Sequence, residues 1–201
     1  QKLDAKSTTP HQLADKTREY LGVTIDQQFK FAGTEAAFKV WRNAIENVGV
    51  FTFKNSLKDR FISGFCLLNE RFPIIVINNS NSFTRQIFTL IHELGHILYG
   101  IHGITDIDET YLHYMNAPEK LLEIKCDEYA AELLVPSDVF QKEISLFNIV
   151  GPDIIPKLAD KFSASREVIL RKFLDHGLVT REYYETKSSE WNRDYLRSKR
   201  S

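Results

Sequence analysis

The chain has 201 residues, 43% hydrophobic, 26% charged and 12% aromatic, with a formal net charge of −1. Those are the fractions of a folded globular domain, so a wholly disordered chain is excluded. A near-neutral sum also excludes a strong overall field for nucleic acid or a membrane surface, leaving only a local patch open.

Two cysteines, Cys66 and Cys126, do not make a disulfide framework and point to a reducing, cytoplasmic setting. No apolar run is long enough to cross a membrane. The first residues do not read as a signal peptide and there is no initiator Met, which raises the expectation of a missing upstream domain. Residues 1–9 read as a flexible N-terminus, 10–180 as one domain and 181–201 as a tail.

Pro10 opens an amphipathic helix through Leu13, Ala14, Tyr20 and Leu21, and Gly22 stops it. A second helix over 35–47 carries Ala37, Phe38, Trp41 and Ile45 on one face. Strands follow at 50–53, 61–68 and 74–77, the last two joined as a hairpin through Asn69-Glu70-Arg71. Pro73 places the third strand's start there, or places that strand at an edge. Such an edge would be open to an extended substrate. Residues 83–100 form one helical pattern, apolar nearly all round, and so predict a central buried helix. Residues 101–116 read as a loop. Helices follow at 118–134, 137–146, 153–162 and 166–176. The tail mixes basic residues with Tyr183, Tyr184, Trp191 and Tyr195 and is assigned no element.

The central helix carries His92-Glu93-Leu94-Gly95-His96. Residues i and i+4 stand one turn apart, so both imidazoles can reach one zinc ion. Glu93 lies beside that face, placed to take a proton from water and pass it to a leaving amine. Two histidines and a glutamate are costly passengers on an apolar helix. A buried His/Glu network without metal is the bland alternative. A catalytic zinc wants a third protein ligand, and Glu123 on the next long helix fits. Asp127 is one turn further and would accept the second ring N–H of a ligand histidine. Glu128 and Glu132 compete, the first rotated off this face and the second two turns on.

Arg85, Phe88 to His96, Glu123, Cys126-Asp127 and Tyr129 to Pro136 together resemble the ImmA/IrrE family of bacterial and phage metallopeptidases. The strand Ile74 to Asn79 and the segments around 158–162 and 165–174 are similar too. The resemblance implies an α+β, zincin-like fold, with a small antiparallel sheet packed on the central helix. It implies zinc held by His92, His96 and Glu123, with Glu93 as base. It further implies a regulatory endopeptidase that cuts a helix-turn-helix repressor in a stress, mobile-element or defence response, with DNA damage or single-stranded DNA as trigger. The family usually has Ala-Asn where this chain has Cys126-Asp127. Asp127 preserves the acceptor. Cys126 is either a small buried residue or a redox switch able to block the metal.

Tyr111, His113 and Tyr114 are candidates for oxyanion or substrate contacts, with His102 and His176 beside them. Residues 158–176 also fit a helix-turn-helix, which either reads DNA or closes a helical core. The tail could hold single-stranded nucleic acid or dock on the domain. Three rival functions stay open. One is a non-hydrolytic zinc module that binds a DNA-binding partner or antitoxin. Another is a DNA-binding regulator. The third is an aminopeptidase using the acids at 106–109.

Overall fold

A computed structural model describes residues 5, 7–57, 62–101, 103–106 and 116–198. Helix α1 (Pro10–Leu21) begins at a Thr9 capping box with Pro10 in its first turn, and ends at Gly22 in the left-handed region, φ 69°. A short helix α2 (Ile25–Gln28), unmarked by the apolar pattern, follows from a second capping box at Thr24. Helix α3 (Thr34–Asn47) buries Ala37, Phe38, Trp41 and Ile45.

Three strands come next: β1 (Phe51–Asn55), β2 (Ile62–Leu67) and β3 (Ile74–Asn78). Helix α4 (Phe83–Tyr99) is followed by β4 (Gly103–Asp106), a strand inside the stretch expected to be loop. The sheet order is β1-β3-β2-β4. The expected β2–β3 hairpin is present, and β4 is also antiparallel to β2. β1 runs parallel to β3 from Phe51↔Ile74 to Asn55↔Asn78, so the sheet is mixed rather than wholly antiparallel. This overturns the edge expectation for β3, which has neighbours on both sides; β1 and β4 are the outer strands. Pro73 is no obstacle, because it precedes the strand and gives only its carbonyl, which accepts from the Phe51 N–H at 2.9 Å.

Helix α4 lies across one sheet face, close enough that a Cβ on Gly64 would come within 2.7 Å of the Thr89 methyl. Helix α5 (Ala117–Leu134) packs on α4 and α1. Then come α6 (Ser137–Ile144), a 3-10 turn (Pro152–Ile154), α7 (Ile155–Phe162) and α8 (Arg166–Asp175). Helix α8 gives Val168, Ile169, Leu170 and Phe173 to the core. Its Lys172 is buried on Glu132, and Arg171 pairs with Asp175 at 2.9 Å. The tail forms a helix, α9 (Arg181–Ser198). Tyr183, Tyr184 and Trp191 pack against the core, and the Tyr195 hydroxyl donates to Asn81 Oδ1 at 2.7 Å. Those aromatic side chains are thus engaged with the protein itself. Among the described residues no helix is long and apolar enough to cross a membrane.

Candidate metal centre

Helix α4 positions the first three groups. It starts at Ser82, whose side chain accepts from the Arg85 N–H, and ends at Gly100, whose N–H donates to the carbonyls of His96 and Ile97. Between these caps His92, Glu93 and His96 are each 2% exposed or less. Polar groups so deeply buried are unfavourable unless partners meet them. Helix α5 supplies those partners from one face.

Three donor groups converge. His92 Nε2 lies 3.0 Å from His96 Nε2 and 3.1 Å from Glu123 Oε2, and His96 Nε2 lies 3.3 Å from Glu123 Oε1. In a tetrahedral site with arms of 2.0–2.1 Å, neighbouring ligand atoms are about 3.3 Å apart. The two nitrogens and the carboxylate, which turns a different oxygen to each histidine, therefore lie at the spacing of the ligands on one face of such a tetrahedron. Two imidazoles and a carboxylate are also a donor set that suits zinc. His92 Nδ1 lies 2.8 Å from Asp127 Oδ1, the contact that places its proton on Nδ1 and turns the Nε2 lone pair inward. His96 Nδ1 is buried with no hydrogen-bond partner among the described residues. Packing holds that ring instead: a Cβ on Gly103 would sit 2.6 Å from its Cγ and Cδ2 and 2.8 Å from Glu93 Oε2.

Electrostatics follow from burial and pairing. Burial alone would lower the pKa of His92, but the carboxylates of Asp127 and Glu123 outweigh it and hold it at about 10 without metal. Burial would raise Glu123, and the two imidazoles instead draw it down to about 2. The metal-free cluster is thus a pre-charged pair that metal would enter by displacing a proton.

Residues 45–174 match the family Peptidase M78, an IrrE N-terminal-like domain. The chain belongs to this metallopeptidase family. The M78 match spans strands β1 to β4 and helices α4 to α7, and takes in the whole cluster. No curated protein matches the chain. A metallopeptidase family implies a metal ion, and His92, His96 and Glu123 are the cluster that could hold it.

The structure brings His92, Glu93, His96, Glu123 and Asp127 of this M78 domain together. Cys126 is fully buried against α4, and a Cβ on Gly95 would meet its sulfur at 3.4 Å; it is not one of the grouped donors. Burial first, then Glu123 and Asp127, push its thiol pKa up, which keeps it protonated. Glu132 lies elsewhere, in a buried pair with Lys172 that Ser137 completes through its N–H and hydroxyl, each at 2.8 Å. Glu128 is exposed. His176 stacks near Phe140 at 5.2 Å, on α6. His102, Tyr111, His113 and Tyr114 lie outside the described residues, as do Asp108 and Glu109.

Sequence reasoning missed two neighbours of Glu93. The Cys66 thiol lies beside the Glu93 carboxylate; burial and then that carboxylate push its pKa up, and its sulfur accepts from the Gly103 N–H at 3.2 Å. Gly103 is needed because only a residue without Cβ lets β4 lie on the His96 ring. The inward phase of β2, which Cys66 shares with Gly64, was the available signal for Cys66. Nothing local marks Gly103.

Proposed function

We propose that the chain is a zinc-dependent endopeptidase that cuts a protein substrate. The observation that carries this reading is the converging triad of His92 Nε2, His96 Nε2 and Glu123, with ligand-to-ligand distances of 3.0–3.3 Å, beside the buried Glu93. Zinc held there supplies Lewis-acid polarisation of a peptide carbonyl and makes water acidic near neutral pH. Glu93 is the base: it takes a proton from water and returns it to the departing amine. Asp127 is a positioning residue that holds the His92 tautomer and ring orientation. Cys66 and the Gly103 backbone hold Glu93 from the sheet side. Among the described residues β4 pairs with β2 alone, so its outer edge takes the place first given to β3 as a rail for an extended peptide.

The substrate we propose is a helix-turn-helix repressor, cut in the cytoplasm in a stress, mobile-element or defence response, with DNA damage or single-stranded DNA as trigger. The family membership supports this regulatory reading over a digestive one. The test is a search for new protein N-termini in host cells carrying wild type or Glu93→Gln, with and without DNA damage. The substitution leaves the three ligands in place and removes the base. A cut inside one repressor that needs wild-type Glu93 supports the reading. Identical termini in both strains while the phenotype persists would replace it with a non-hydrolytic module that acts by binding.

A further inference from the structure

The outer face of the sheet, opposite α4, is apolar on β1, β2 and β3 and has no element packed on it among the described residues. Strand β3 reads Ile74-Ile75-Val76-Ile77, a continuous apolar run of the kind that belongs to a strand buried on both faces. Only one face is covered: Ile75 and Ile77 are fully buried beneath α4, while Ile74 and Val76 point outward. Strand β1 shows the same imbalance inverted. Its Thr52 faces the protein, where its hydroxyl donates to Glu46 and its carbonyl accepts from Arg42 at 2.9 Å. Its two phenylalanines, Phe51 and Phe53, face out.

The register aligns these side chains in rows. Phe53 lies beside Val76 and Val76 beside Phe65; Phe51 lies beside Ile74 and Ile74 beside Leu67. Phe72 extends the patch, with its ring 5.9 Å from that of Phe51. None of these seven residues carries a charge. Phe51, Phe53, Leu67 and Phe72 are 46%, 53%, 48% and 58% exposed. At about 200 Å² per large side chain they leave about 400 Å² of apolar surface uncovered, before Phe65, Ile74 and Val76 are counted. That lies within the range of about 300–600 Å² for the largest patch on a monomer, a patch that is often functional.

We propose that this face is a dimer interface, covered by the same face of a second copy of the chain. A standard interface takes about 800 Å² from each partner, with about 60% of it apolar, so the requirement is about 500 Å². The four most exposed side chains supply about 400 Å² of it, three of them from strands and Phe72 from the turn before β3, and Phe65, Ile74 and Val76 add the remainder. It is self-complementary, because apolar surface without charge on either side meets no repulsion across a two-fold axis. Two sheets of the same twist also pack face to face at about −30° with interdigitating side chains. The metal cluster lies on the α4 side and stays clear of the contact. A second exposed apolar group, Leu146, Ile149 and Val150, sits on the connection after α6 and serves as the control.

Sedimentation equilibrium on the purified chain tests this. The expected mass is twice 23.3 kDa. Phe53→Asp and Leu67→Asp, on two different strands of the face, should each weaken the dimer by at least about 30-fold. Ile149→Asp should leave it unchanged. Melting curves show which variants remain folded, and either sheet variant alone decides the matter. A chain that stays monomeric to about 100 µM overturns the proposal and assigns the face to a different partner. A dimer that survives both sheet substitutions, or that only Ile149→Asp breaks, overturns it as well.

Discussion

Replacing Gly103 with Ala adds one methyl group at the tightest point of the metal centre. Gly103 is not among the glycines in the left-handed region, so the substitution tests space and not backbone strain. The new carbon would lie 2.6 Å from Cγ and Cδ2 of His96 and 2.8 Å from Oε2 of Glu93. Carbon atoms rest at about 3.5–4.0 Å, so about 1 Å of displacement is required. The His96 ring is fully buried, so the motion falls on the ring's angle, on Glu93 or on the β4 backbone. Metal–ligand distances tolerate only about 0.2 Å. Overpacking of this kind costs about 1–3 kcal/mol. Charged to metal binding, that is an affinity loss of about 5- to 150-fold. Competition with a chromophoric zinc chelator reads it directly. Gly64→Ala is the matched control, with a Cβ 2.7 Å from the Thr89 methyl and from the Val76 carbonyl on the same sheet. It should lower Tm by about 2–12 °C and leave zinc affinity unchanged. If Gly103→Ala bound zinc within about threefold of wild type, the contact between β4 and the ligand ring would not exist as described.

Two further outcomes follow from buried charge. In the metal-free protein His92 binds its proton more tightly when folded, so its stabilising effect is complete below its ordinary 6.5 and lost as pH rises through about 10. Glu123 acts in the opposite sense: its effect is complete above 4.5 and lost as pH falls toward about 2. Denaturant unfolding of the chelated protein should therefore show stability falling between pH 7 and 10, and a rise over that window would contradict the charged cluster. Away from the metal, Lys172→Met strands the buried Glu132 carboxylate, whose pKa burial would raise and Lys172 and Ser137 instead hold low. The expected cost is about 3–5 kcal/mol, and a loss below 1 kcal/mol in urea titration would mean that Ser137, with His11 Nδ1 at 3.2 Å, satisfies the carboxylate without Lys172.

What the sequence made legible was local and periodic. The 83–100 pattern, the i and i+4 spacing of His92 and His96, and the same spacing of Glu123 and Asp127 all follow from helix geometry, and each recurs in the structure as read. What it hid was set by pairing over long separations. β4 is four residues long and Gly103-Ile104-Thr105-Asp106 has no strand pattern of its own; its pairing with β2, about 40 residues earlier in the chain, makes it a strand. The parallel β1–β3 pairing is invisible for the same reason. Helix α9 escaped because its side chains form no continuous apolar stripe, and it is held by separate contacts from Tyr183, Trp191 and Tyr195.

The two unspecified positions of the His-Glu-x-x-His motif are not blanks here. Leu94 is buried in the core on the side away from the histidines. Gly95 faces α5, where a Cβ would meet the Tyr129 ring at 3.0 Å and the Cys126 sulfur at 3.4 Å. A methyl group there would push α5 outward by a few tenths of an ångström. Glu123 and Asp127 ride on that same helix, and their carboxylates meet His92 at 3.1 and 2.8 Å. The spacing of the two helices therefore sets the distance between the ligands. A small residue at 95 and a small residue at 126 fix that spacing, which gives Cys126 a structural task through its size alone. The motif's two histidines select the metal; the glycine between them decides whether the third ligand arrives.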